Sequence, residues 1–357
     1  MFIEIKLAKE LDEKIWIDYL KEIGNFNHFH TPHMCKFYSN YKEIEDISFF
    51  CFEKKKPVAF VPLALSSEKE RKFSFGTIPC HTPIFNSKLS PKTKRKLQET
   101  VYKLIFDQMK KKDILCGDFF YHPIQASTNE QKKSKIEINY KDSFTISKFF
   151  DVHVSYLNTN IIDLTKNINE LEGNLQPQIR NELKKNFFKN LKFSILNSKN
   201  SNIKDLNEGL ENYKKLHFSA AGRITRSSET WVSMNDMLKK SKLSIFFLKY
   251  KNNIVSGQLS TEFFSSARCS SQASIKDEIY KKYSLRHFLE WNIIKHYKNL
   301  GFNYYCLGHS FYFSTGLREE IDDKHRRIGL LKTKFGGDQY PEHFFRIYHK
   351  NNNLFGE

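Results

Sequence analysis

Along this chain, runs that alternate apolar and polar residues trade places with runs whose apolar residues recur every three or four. These are the patterns of strand and helix. ISFFCFEKKKPVAFVPLAL (residues 47–65) reads as two strands about a lysine turn, with Pro57 and Pro62 limiting their pairing. Ser90-Pro91 offers an N-cap and a proline at the first helical position. After it, Leu97, Val101, Leu104, Ile105 and Gln108 mark one face of a helix. Thr128 to Ser143 is polar and reads as a hairpin or a loose excursion.

From Asn160 a second series begins. Ile161 to Leu164 is a short strand, and Asp163-Leu164-Thr165 ends it and caps the next element. Leu171, Leu175, Ile179 and Leu183 form a buried helical stripe interrupted at Pro177, and Ile203, Leu206, Leu210, Tyr213 and Leu216 form another. SIFFLKYKNNIVSGQLSTEFF reads as a hairpin turning at Asn252-Asn253, followed by a small-residue strand, ARCSSQASI. Leu285, Phe288, Asn292 and Lys295 share one side of a helix, with Trp291 and Ile294 beside them, and the strand Asn303 to Gly308 comes next. This mixture of elements predicts a mixed α/β fold.

A chain of 357 residues exceeds the usual single domain, and 39% hydrophobic content is enough to build a core in each of two. The expected division is 1–155, 156–338 and a C-terminal strand or tail, 339–357. The net charge of +18 favours polyanionic partners in a salt-sensitive way, although a solvated, lysine-rich surface is an equal reading. Six isolated cysteines with no CxxC spacing read as reduced, buried thiols. No stretch approaches the roughly 18 apolar residues of a membrane span, and the N-terminus lacks an apolar signal core, so a cytoplasmic location is expected. Peripheral contact with an anionic membrane stays open; a DNA partner is not expected. His28, His30 and His33 suggest a metal cluster, but their spacing fits no zinc pattern, and a loop on a cleft rim is the preferred reading.

Several segments in one order carry a family resemblance. They are IIDLTKNINELEGNLQPQIRNELKKNFFKNLKFSIL, then IVSGQLSTEFF, then IYKKYSLRHFLEWNIIKHYKNLGFNYYCLG, and finally LLKTKFGG. Together they resemble the FemAB-like (FemABX) branch of the GCN5-related N-acetyltransferase (GNAT) superfamily, over roughly Ile161 to Gly337. FHTPHM and PVAFVPLAL match more loosely in the first half. Cys306 stands where the family commonly has Asp, and Leu331 where Phe is usual. The resemblance implies two tandem GNAT-like domains around a central cleft and an enzyme that joins an acyl or aminoacyl group to an amine. FemABX members take aminoacyl-tRNA and extend peptidoglycan cross-bridges; others act in surface-polysaccharide pathways.

The donor is then aminoacyl-tRNA or acyl-CoA, with no tightly bound cofactor, and the acceptor an envelope or nucleotide-sugar precursor. A catalytically silent tRNA- or polyanion-binding module is the alternative from another class. Amide formation needs a stabiliser for the tetrahedral oxyanion, and the resemblance assigns this to Lys332 at a strand end. Lys334, two residues on, would share its face and meet a phosphate. The competing reading makes Lys332-Thr333-Lys334 an exposed edge strand ended by Gly336-Gly337. Arg180 and Lys184, one helical turn apart, are candidates to grip a phosphate or carboxylate, or are simply a solvated face. Tyr280, Tyr283 and Arg286 lie where CoA-using relatives keep a glycine-rich pyrophosphate loop, which this chain lacks. His309 could face the cleft, and Glu262, mid-strand, is a candidate general base. Trp231 reads as core.

Overall fold

The computed structural model describes residues 3–41, 44–66, 71–76, 78–126, 133–137, 143–276, 283–310 and 323–349. These fall into two compact units. The first runs to Leu157 and resumes at Pro341; the second lies between Asn158 and Tyr340. Among the described residues no helix is long and apolar enough to cross a membrane.

In the first unit the lysine turn forms as expected. Phe49–Glu53 and Lys56–Val61 pair antiparallel about Lys54 and Lys55, both with positive φ. Glu4–Leu7 and Ile84–Phe85 complete a four-stranded sheet. Ser90 caps the Pro91–Lys111 helix by accepting from Thr93 N–H at 3.2 Å, and Leu97, Val101 and Ile105 are buried. Within 128–143 the described residues Ser134–Ile136 pair with Ile124–Ala126, so this part is a hairpin arm. Near the C-terminus, His343 to Tyr348 pair with Cys116–Tyr121, and Arg346 grips the directly opposed Asp118 at 2.6 and 2.9 Å.

In the histidine cluster two members are buried and His33 is partly buried. Among the described residues no group of three or more potential ligands is suited to a metal. His28 and His30 are buried. His30 Nδ1 accepts from Asn27 N–H at 3.1 Å, so its Nε2–H donates to Thr82 O at 3.1 Å, which requires the neutral ring. Burying a short turn full of backbone amides demands such partners, and a neutral imidazole satisfies one donor and one acceptor.

The second unit is a sheet ordered Leu191–Leu196, Leu243–Tyr250, Asn253–Phe263, Ser266–Ser274, Tyr304–Ser310, then Asn158 to Asp163. The hairpin turns at Lys251-Asn252, one residue earlier than the sequence pattern suggests. Both have positive φ (46° and 68°), as a two-residue primed turn requires. Pro177 splits the long stripe into two helices, Ile168–Asn174 and Pro177–Leu183, and sits at the first position of the second. The helix Leu285–Asn299 is buried on most of its circumference, not along one stripe. Leu285, Leu289, Ile293 and Tyr297 join a core with Phe246, Tyr305 and Phe335.

The C-terminal lysines do not lie on a strand. Asp323–Thr333 is a helix with Lys332 in its last turn, followed by Gly336 and Gly337 at positive φ. Two lysines at alternate positions are too short a run to fix a period, and a cation suits a helix C-terminus.

His30 ties stability to pH. Burial depresses its pKa from 6.5 to about 4, so its contribution is fully present above pH 6.5 and is lost as pH falls towards 4. The loss is about 3 kcal/mol. Urea denaturation between pH 7.5 and 4 should give a falling acid limb in the wild type. His30→Gln should be less stable at pH 7.5 and should fall less steeply.

Candidate active site

One parallel pairing organises the second unit. Ser266, Ala267 and Arg268 pair with Tyr304, Tyr305 and Cys306, and there the ladder ends, although one strand continues to Ser274 and the other to Ser310. The two strands therefore part, leaving a notch between them. Just past the last pair, Ser260 opposes Cys269 while Leu259 opposes Ser271, so Ser270 is an extra, bulged residue. The bulge reverses the alternation. Cys269 faces the core helix Leu285–Asn299, and Ser271 faces the helix Ile203–Ala221.

Lys332 reaches this notch. Its ammonium donates to His309 O at 2.9 Å and stands 3.2 Å from where a Cβ on Gly308 would be. Gly308 has φ +85°, a backbone conformation that favours glycine. Burial pulls the Lys332 pKa below the usual lysine value, and Arg286 and Arg268 push the same way. Beneath them lies Glu290, fully buried, accepting from Tyr305 OH and from Gln258 Nε2 at 3.4 Å. Burial raises its pKa. Burial also pushes the Cys269 thiol up to about 12, which keeps it protonated and excludes it as a nucleophile near neutral pH.

The structure brings Lys332, Arg286 and His309 together and sends the other candidates elsewhere. Lys334 Nζ donates to Gln178 Oε1 at 3.1 Å, a different direction from Lys332, because the helix and not a strand sets their relation. Arg180 donates to Gly173 O at 2.8 Å and serves the end of the preceding helix; Lys184 is at the end of its own. Tyr283 stacks on Phe187 at 4.2 Å. Glu262 opposes Ala267, at the closed end of the ladder, and accepts from Ser244 Oγ at 2.5 Å and Tyr297 OH at 3.2 Å. Tyr280 lies outside the described residues.

Two features had no sequence signal. On the Ser271 side, Arg226 donates to His217 Nε2 at 2.6 Å and to Ser271 Oγ at 3.0 Å, while lying 5.3 Å from the Trp231 ring. Trp231 is core, as expected. Burial, helped by Arg226, lowers the His217 pKa to about 4, and a neutral ring is what an accepting Nε2 needs. This knot pins the turn after the Ile203–Ala221 helix to the strand just past the bulge. The second feature is at the N-terminus of Leu285–Asn299. Ser284 N–H donates to Glu182 Oε1 at 2.6 Å, and His287 Nδ1 meets Glu182 Oε2 at 2.5 Å. A carboxylate from the Pro177–Leu183 helix thus occupies the position where a helix N-terminus would hold a phosphate.

No family model matches this sequence, and no curated protein matches it. Solved structures do. FemX superposes with TM-score 0.64 at 11% identity, covering 96% of each chain. L-PGS from Bacillus licheniformis gives 0.58 at 14% identity, covering 96% of this chain and 93% of that one. A tandem GNAT protein from the clavulanic acid biosynthesis pathway gives 0.53 at 9% identity, covering 98% of each chain. The fold is therefore the FemABX-like, tandem GNAT fold, mixed α/β over nearly the whole chain.

The Glu182 stopper generates a prediction. Removing a partly buried, charge-assisted partner costs about 1.5–3 kcal/mol, so Glu182→Ala should lower the thermal midpoint. With the N-terminal amides opened, its midpoint should rise with added inorganic pyrophosphate more than the wild type's does at equal ionic strength. Differential scanning fluorimetry measures both effects.

Proposed function

We propose that this protein is an aminoacyl transferase. It moves an aminoacyl group from the ester of a charged tRNA to an amine of a cell-envelope precursor, a peptidoglycan peptide or an amino sugar. The resemblance to FemABX proteins and the likeness of its fold to FemX and L-PGS support transfer chemistry. Lys332 supports the same reading. A positive charge held by a carbonyl in a partly buried notch is suited to a carbonyl oxygen that becomes anionic during attack. The amine must arrive neutral, and the crowding cations around Lys332 favour a neutral nucleophile beside them.

The observation that carries the choice of donor is the Glu182 carboxylate. An acyl-CoA pyrophosphate at that helix start would meet a fixed negative charge instead of free amides. An ester on the 3′ end of tRNA has no such requirement, and a net charge of +18 suits a long polyanion.

Hydroxylamine serves as a surrogate amine in the test. Incubation with total aminoacylated tRNA should release aminoacyl-hydroxamate faster than the same mixture without protein, and acetyl-CoA in place of the tRNA should show no protein-dependent rate. Lys332→Ala should lower the rate about a hundred- to a thousandfold. A protein-dependent rate from acetyl-CoA alone would reassign the donor. Salt-dependent tRNA binding without transfer, unchanged in Lys332→Ala, would make the chain a tRNA-binding module.

A further inference from the structure

Asn160 is fully buried, and neither its Nδ2 nor its Oδ1 has a hydrogen-bond partner. Leaving a buried amide unpaired costs about 1–3 kcal/mol, and an apolar side chain of the same shape would avoid that cost. The residue stands at a second irregularity of the sheet. Asn160 opposes Gly308, but Ile161 opposes Cys306, so Leu307 is bulged between them.

Directly opposed residues leave the sheet on the same side, with Cβ positions about 4.5–5.5 Å apart. The Asn160 side chain thus rises beside the place of the absent Gly308 side chain, and that place is 3.2 Å from Lys332 Nζ. On its other flank is Gly337, at φ +88°, where a Cβ would come within 2.8 Å of Asn160 Oδ1. The acceptor oxygen is packed against this glycine. Two glycines at positive φ thus frame one unpaired amide and one ammonium.

We infer that Asn160 is a second oxygen-binding donor of this site, acting with Lys332 on the carbonyl oxygen of the group transferred. This rests on the transfer reading above. As the amine nitrogen forms the new C–N bond, the carbonyl π pair moves to oxygen, where Nδ2–H and the ammonium hold it. The pair returns as the ester C–O bond breaks, and the proton lost by the amine ends on the released hydroxyl. Asn160 remains neutral throughout. Its unpaired state without substrate is then the cost of keeping a donor in reserve beside the ammonium.

Asn160→Leu separates this role from a structural one. Because it removes an unpaired polar group at similar volume, its thermal midpoint should match or exceed the wild type's. In the hydroxylamine assay its kcat should fall about ten- to a hundredfold, with the KM for charged tRNA unchanged. An unchanged kcat overturns the inference, and so does a lowered midpoint, which would mean that the amide holds the fold together. A second measurement does not depend on transfer. Asn160→Asp puts a carboxylate beside the ammonium, so the pH at which Lys332 becomes reactive to acetic anhydride, followed by peptide mass spectrometry, should rise. No change there overturns the placement of the amide. A wild-type rate no higher than that without protein rejects the transfer reading instead, and the labelling result then decides whether amide and ammonium share a site.

Discussion

The early end of the parallel ladder between Ser266–Ser274 and Tyr304–Ser310 is the constraint on which the rest of the second unit depends. Three pairs hold the strands together, and beyond Arg268 and Cys306 they separate. A parted pair cannot satisfy its own backbone, so other groups must enter the gap. One of them is the Lys332 ammonium, which takes up His309 O. The bulges at Ser270 and Leu307 belong to the same constraint, since each re-aims side chains where regular pairing fails. Gly308 and Gly337 both lie beside the gap at positive φ, and a side chain on Gly337 would collide with Asn160 and the Ile161 carbonyl.

Below the notch, charge and burial are balanced against each other. Arg286 disfavours the charged form of Lys332, while Glu290 and the Tyr305 hydroxyl supply a compensating polar layer in the core. The layer continues through Gln258 and Ser260, linked at 3.2 Å, along the same strand that carries Glu262. A connected polar layer of this kind is costly to build and rigid once made. It gives the cations above it a fixed floor, which pre-organised electrostatics requires.

Much of the fold is legible in the chain. The lysine turn, the Ser90-Pro91 helix start, the break at Pro177 and the hairpin near Asn252 are all short-range chemistry, where the residue itself sets the backbone. The resemblance of the second half locates the important segment, although the local conformation there is not the one the pattern suggests. Lys332-Thr333-Lys334 reads as a strand exit and is the end of a helix, because two alternate lysines satisfy either period. Of the named candidates, Lys332, Arg286 and His309 come together. Glu262, Arg180 and Lys334 find partners elsewhere. Asn160, Glu182, Arg226 and His217 give no signal, since each matters only through a residue distant in the sequence.

The sequence by itself determined the mixed α/β class, the turns and caps, and the segments that resemble FemABX, because these rest on periodicity and on residues with strong backbone preferences. It also determined the positive charge, which needs no fold to be counted. Only the tertiary structure decided that the helix N-terminus at Ser284 is stoppered by Glu182, more than a hundred residues earlier, and that Asn160 opposes Gly308. Strand register and helix docking are set by the packing of a whole core, and the side chains that meet across them carry no mark of that meeting along the chain.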